Sequence, residues 1–288
     1  MFKEIAKAVI PERPAFKLKQ YYYGRNRADE KKLVLSNSEF KDRHKGQRCF
    51  ILGNGPSMKY FDLGLLHDEI TFTVNQIDRR ADYSKLNTTY HFWADERFFK
   101  IDLEKGIDVE LYEYMKRIRD ANNNPIVFYK TPARNLIKTT KLDEWLNIKY
   151  FMEIRCEMPR NSASIDLDGI LPMFSTVIQY EIVAAVYMGF TEIYLLGCDT
   201  TGILNQIEAR INQGTVEYSY DVSKIEMERM KRMAMDSSMQ MELMETVRIL
   251  DDYEKLFDYC HVRGVKLINL TVPSLIESLP VMRLEDVL

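Results

Sequence analysis

The residues best suited to chemistry in this 288-residue chain stand where short apolar runs stop. Arg48 to Leu52 runs into Gly53-Asn54-Gly55 and then Pro56-Ser57, Glu69 to Val74 ends on Asn75, Tyr90 to Trp93 is followed by Asp95, and Glu192 to Leu196 by Gly197 and Asp199. Glycines beside an amide let a guest come close to main-chain N–H groups, and the guest such donors suit is a phosphate. Ser57 can cap the turn that follows, whose positive end favours an anion. The spacing is not that of a dinucleotide fingerprint, because position 58 is Met, and no Lys-Ser/Thr pair completes a P-loop. The same Gly-Asn-Gly triplet also serves as a tight strand-to-turn connection used for its conformation alone. Asp199 stands open between a ligand role and a structural hydrogen-bonding one.

Four strand ends that finish in glycine, amide or carboxylate suit a ligand crevice along the carboxyl edge of a parallel sheet. Two further groups belong to a stretch without apolar periodicity, about 200–224, which reads as a loop or lid: the tyrosines Tyr218 and Tyr220, and Asp221 beside them. Asp221 and Asp95 are the candidate proton acceptors. Of the histidines, His91 lies inside an apolar run and reads as core, His44 and His67 as solvated, and His261 as the end of a helix. Cys49, Cys156, Cys198 and Cys260 form no CxxC pair, which argues against a zinc knuckle or redox motif and fits a reducing, cytoplasmic setting.

Those side chains need a sheet to carry them. The runs at Arg48–Leu52, Glu69–Val74, Tyr90–Trp93, Pro125–Tyr129, Glu192–Leu196 and Val265–Leu270 are short, apolar and separated by polar or helical stretches, the alternation of a mainly parallel sheet with helices on both faces. Thr176-x-x-Gln179 has the form of a capping box, and Val177 to Met188 is apolar almost all round, which predicts a buried helix stopped by Gly189. A methionine-rich stretch from Lys224 to His261 predicts a long C-terminal helix whose methionines serve adaptable packing. The expected architecture is therefore α/β, residues 47–288, with a lid and that long helix.

Residues 1–46 read as a separate arm. From Met1 to Phe50 there are 13 Lys/Arg and 6 Asp/Glu, a balance of +7 against −3 for the whole chain, so the remainder carries −10. The overall balance gives no sign of a nucleic-acid binder. With Lys17, Lys19, Tyr21, Tyr22, Tyr23, Arg25 and Arg27 close together, the arm is expected either to touch anionic lipid or to pack on a neighbour, a second copy of the chain included. No apolar run reaches the length that spans a bilayer.

RCFILGNGPSMKYFDLGLLHDEITFTVNQ, together with YEIVAAVYMGFTEIYLLGCD (Tyr180 to Asp199), resembles the bacterial sialyltransferases of glycosyltransferase family 42 and the polysaccharide-locus proteins labelled 6-hydroxymethylpterin diphosphokinase MptE-like. The resemblance covers about Lys45 to Asp199 and returns at Lys266 to Ser274. It implies a Rossmann-like fold and a cytoplasmic glycosyltransferase acting in surface polysaccharide synthesis, with a CMP-linked sugar as donor, a glycan acceptor, inversion at the transferred carbon and no metal or other cofactor. On that resemblance Asn54 and Asn75 line the donor site, Asp95 and Gly197 fall at or beside family positions, and Thr176 matches the threonine of an Arg-x-Thr-Ser-Gly motif. Phe174, Val177 and Ile178 replace its arginine, serine and glycine, and no histidine lies between His91 and His261, where the family keeps its base. Two other readings accompany it: a pterin diphosphokinase using ATP and Mg²⁺, and a nucleotide-sugar-binding protein without catalysis.

Overall fold

In a computed structural model the described residues are 12–95, 109–120, 124–160, 165–211 and 237–288, with Asp221, Lys224 and Met227. Eight strands form one sheet: β1 (Arg48–Leu52), β2 (Thr71–Val74), β3 (Tyr90–Trp93), β4 (Ile126–Lys130), β5 (Asn147–Ile154), β6 (Ile170–Pro172), β7 (Glu192–Leu196) and β8 (Lys266–Asn269). Their spatial order is β6-β5-β4-β3-β2-β1-β7-β8, and every pairing is parallel. The chain starts in the interior of the sheet, walks outward to β6, then crosses back to lay β7 on the other side of β1. That reversal puts the carboxyl ends of β1 and β7 side by side, with Leu52 opposite Leu196.

Each strand shows why it is central or marginal. β1 to β4 and β7 are buried almost throughout, as a sheet covered on both faces requires. Alternation splits their side chains between two cores. Ile51, Phe72, Phe92 and Phe128 pack under the helices α5 (Val177–Tyr187) and α7 (Met239–His261). Phe50, Leu52, Trp93 and Tyr129 pack with Met115 of α3 (Val109–Arg117) and Ile137 of α4 (Arg134–Thr140).

α5 follows its sequence closely. Gln179 Oε1 accepts the Thr176 N–H at 3.3 Å, the reciprocal arm of a capping box, and Gln179 Nε2 donates to the Ile249 carbonyl of α7 at 3.0 Å. Gly189 ends the helix at φ +88°, and a Cβ there would lie 3.1 Å from the Cα atoms of Asp42 and Lys45, so it answers both the left-handed stop and a close loop.

The lid and the set of strands differ from expectation. The segment read as a lid begins instead as a helix, α6 (Gly202–Ile211), while 212–220 lies outside the described residues. The expected long C-terminal helix is present as α7, opened by Ser238, whose Oγ accepts the Met241 N–H at 3.2 Å; Lys224 and Met227 are helical too, Ser237 and Ser238 interrupt the run, and Met241 and Met244 face solvent. Two strands escaped notice. β5 carries Lys149, paired with Glu39 at 2.5 Å, and Glu153, paired with Lys130 at 2.9 Å, so charges interrupt its apolar run; β6 is three residues long and ends on Pro172 at the sheet edge.

The basic arm is built into this edge. α1 (Glu12–Arg25) and α2 (Ala28–Leu35) lie against β5 and β6: Val34 packs with Met152 and Ile170, Gln20 Nε2 donates to the Ile170 carbonyl at 2.5 Å, and Asn37 Nδ2 donates to the Tyr150 and Leu167 carbonyls at 2.7 and 3.0 Å. A strand edge with open carbonyls is thereby covered.

Candidate functional site

The loops leaving β1 and β7 interlock. Gly53 N–H donates to the Leu196 carbonyl at 2.7 Å and Gly55 N–H to the Gly197 carbonyl at 3.0 Å. Asp199, buried, accepts the Ser57 N–H on Oδ1 at 3.0 Å and the Ser57 hydroxyl on Oδ2 at 2.7 Å. A Cβ on Gly53 would stand 2.4 Å from the Gly197 carbonyl oxygen, and one on Gly55 1.8 Å from Asp199 Oδ2. The left-handed residue is Gly197, at φ +65°, where a Cβ would meet Met58 Cγ at 2.2 Å.

This corrects the reading of the glycines as a bare phosphate cradle. The amides of Gly53, Gly55 and Ser57 are spent on the neighbouring strand end, and a carboxylate of the protein holds the anion position at Ser57. The glycines admit protein backbone, and Asp199 takes the structural role.

What the interlock leaves open are side-chain oxygens without a hydrogen-bond partner among the described residues. Asn54 is held by its Nδ2, which donates to the Val74 carbonyl at the end of β2 at 3.1 Å, so its Oδ1 is buried with no partner. Asn75 follows Val74 at φ +47°, a conformation asparagine tolerates better than most residues; its N–H reaches the Phe92 carbonyl at 3.1 Å, and its Oδ1 is likewise unpartnered. Ser175 Oγ, one residue before the cap of α5, is a third such atom. Thr176 lies beside it, next to the phenol of Tyr253, which also neighbours the Cys198 thiol. Buried polar atoms are rarely left single, and several at the carboxyl edge call for a bound group or water.

The remaining expected residues are more dispersed. Asp95 is half-buried just past β3. Asp221 is exposed, and its carbonyl accepts from Arg79 Nη2 at 2.7 Å, which ties this part of the chain to the turn after β2. Tyr218 and Tyr220 lie outside the described residues. His91 is core, as expected: Thr73 Oγ1 stands 2.8 Å from its Nδ1, and burial lowers its pKa to about 3, too low for a base at neutral pH.

Sequence reasoning missed several groups at the same edge. Asp78, three residues past Asn75, is buried, and its pKa rises to about 7 because burial outweighs the charges of Arg117 and Arg79. Lys130, at the end of β4, pairs with Glu153 of β5, which also accepts from the Tyr180 hydroxyl; Arg248 of α7 reaches the Met173 carbonyl at 2.5 Å. The signal for Lys130 was available, a charged residue closing an apolar run. Arg248 had none, since only tertiary packing brings α7 there. Among the described residues no three His, Cys, Asp or Glu side chains converge where a metal ion could sit.

No protein-family model matches the chain, and no curated protein sequence matches it. Solved structures do. A MAf glycosyltransferase from Magnetospirillum magneticum AMB-1 is 12% identical over 88% of this chain and 38% of its own, with a TM-score of 0.46, so the chain spans well under half of that protein. The sialyltransferase CstII from Campylobacter jejuni, solved with cytidine-5'-monophosphate, is 17% identical over 83% of this chain and 85% of its own, TM-score 0.46. The monofunctional alpha-2,3-sialyltransferase Cst-I from the same organism is 15% identical over 82% and 80%, TM-score 0.46. Identities this low say nothing of individual site residues.

Proposed function

We propose that this chain is a glycosyltransferase that transfers a sugar from a CMP-linked donor to a glycan acceptor, without a metal ion and with inversion, in bacterial surface polysaccharide synthesis on the cytoplasmic side of the membrane. The observation that carries the reading is that Asn54 Oδ1, Asn75 Oδ1 and Ser175 Oγ, each within a few residues of the carboxyl end of a strand, are buried without a hydrogen-bond partner among the described residues. Amide oxygens accept hydrogen bonds, and the ribose hydroxyls and exocyclic amine of a cytidine supply donors to meet them. The choice of cytidine comes from the resemblance of Lys45 to Asp199.

With the amides of the glycine loop occupied, the phosphate belongs at the start of α5. The hydroxyls of Ser175 and Thr176 stand there at the positive end of an eleven-residue helix. In the transfer step the acceptor hydroxyl oxygen forms a bond to the sugar's anomeric carbon as the bond from that carbon to the phosphate oxygen breaks. CMP departs with the bonding electrons, and the hydroxyl proton passes to a carboxylate. Asp221 is the group assigned to take it, because Arg79 holds its main chain at the carboxyl edge; Asp95 is the second candidate.

Thermal-shift titration with CMP, CTP, UDP and ATP, with and without Mg²⁺, tests the reading. Stabilisation by CMP without metal, together with CMP release from a CMP-sugar in the presence of acceptor, supports it. A response only to ATP with Mg²⁺ would favour the diphosphokinase, and CMP binding with no turnover on any donor would favour a binding protein.

A further inference from the structure

α1 and α2 fasten to the sheet by one face each, through Phe16, Gln20 and Gly24 on α1 and Val34 on α2, where a Cβ on Gly24 would lie 3.1 Å from Ile170 Cδ1. Their outer faces are just as regular. Leu18, Tyr21, Tyr22 and Arg25 recur at i, i+3, i+4 and i+7 on α1, and Ala28, Lys31, Lys32 and Leu35 at the same spacing on α2, so each set lies along one stripe. All eight are exposed, Tyr21 and Tyr22 by 64% and 58%. Between the helices runs a groove of about 390 Å³ lined by Tyr21, Gly24, Arg25, Lys31, Lys32 and Leu35.

The charge on this face is one-sided. Pro14 to Arg25 contains no acid. Glu30 is turned inward, accepting from Arg27 at 3.1 Å and from the Thr131 hydroxyl at 2.8 Å. Asp29 is the exposed acid of α2, and it stands about 100° round the helix from Ala28. A soluble face has no need of two tyrosines and two leucines set among cations, whereas a bilayer surface takes both kinds: aromatic rings and leucines enter the headgroup layer while Lys and Arg meet anionic lipid.

We infer that the outer face of the α1–α2 hairpin docks on an anionic bilayer. The hairpin lies along the β5–β6 side of the sheet and reaches its carboxyl end, where Glu30 of α2 bonds Thr131 just past β4. A docked molecule therefore holds its carboxyl edge near the membrane, within reach of an acceptor carried on lipid. The inference stands on the helices alone and survives if the donor chemistry proves different.

Co-sedimentation of the full chain with vesicles tests it. Vesicles of phosphatidylcholine with phosphatidylglycerol should capture the protein, vesicles of phosphatidylcholine alone should not, and raised salt should weaken capture. Each basic residue near an anionic surface contributes about fivefold, so R25Q/K31Q/K32Q should weaken binding about a hundredfold, and Y21S/Y22S should make what remains more sensitive to salt. These side chains are exposed, so far-ultraviolet circular dichroism and melting should match the parent. Equal capture by neutral vesicles, unchanged binding of the triple variant, or binding to a soluble polyanion such as heparin with none to vesicles would each overturn the proposal.

Discussion

Asp199 Oδ1 and Oδ2 hold the main-chain N–H and the hydroxyl of Ser57 at 3.0 and 2.7 Å, joining the ends of two strands whose residues lie 142 positions apart. The clamp closes one wall of the crevice and explains why Gly55 has no side chain. Replacing Asp199 by Ala removes two hydrogen bonds to a charged group, an expected loss of about 3 kcal/mol in urea unfolding. Gly55→Ala should cost about 2 kcal/mol or more even in that background, because the Gly197 carbonyl oxygen still lies 2.6 Å from the new Cβ. Full rescue by the double change would contradict the interlock.

Ser175→Ala and Asn75→Gly separate ligand binding from stability. The serine hydroxyl has no hydrogen bond to lose among the described residues, and glycine accepts φ +47° without strain. Both variants should unfold within about 1 kcal/mol of the parent while the CMP-induced shift in melting temperature shrinks or vanishes. A variant that keeps the full shift places its residue outside the donor site.

Asp221→Asn should lower turnover by about 100-fold with little change in CMP binding, as expected for a lost proton acceptor. Single-turnover assays with a CMP-sugar read the first quantity and titration calorimetry the second. Retained turnover in this variant together with a loss in Asp95→Asn would move the base to β3.

Glu181 sits in the core face of α5, fully buried, with neither carboxylate oxygen hydrogen-bonded among the described residues. Burial alone drives its pKa well above the ordinary 4.5. A raised folded pKa means that its contribution is intact below about 4.5 and is lost as pH climbs toward the folded value, at about 1.4 kcal/mol per pH unit at most. Glu181→Gln should therefore match or trail the parent in acid and gain on it steadily toward neutral pH, measured as unfolding free energy at a series of pH values. A constant gap across that range would show that Glu181 does not titrate in this window.

β1, β3 and β7 could be read from the sequence to the residue because each is a short, unbroken apolar run buried on both faces. β5 could not, since Lys149 and Glu153 look like solvent-facing charges until their partners, Glu39 and Lys130, are brought up by folding. The strand-end asparagines were legible for the same local reason as the strands. The use of Gly53 and Gly55 was not, because a glycine that makes room for a distant carbonyl and one that makes room for a phosphate have the same sequence. In the sequence Asp78 and Ser175 look like any other polar residues; only the depth at which their oxygens sit sets them apart.

The reversal of strand order also bears on how the chain comes off the ribosome. β1 to β6 emerge first and can form a sheet among themselves, but one side of β1 then waits, apolar and unpaired, until Glu192–Leu196 has been made. The proposed donor cleft is the seam that closes when β7 arrives. A chain cut short before Glu192 would carry that raw border outward, an invitation to pair with its own kind and precipitate.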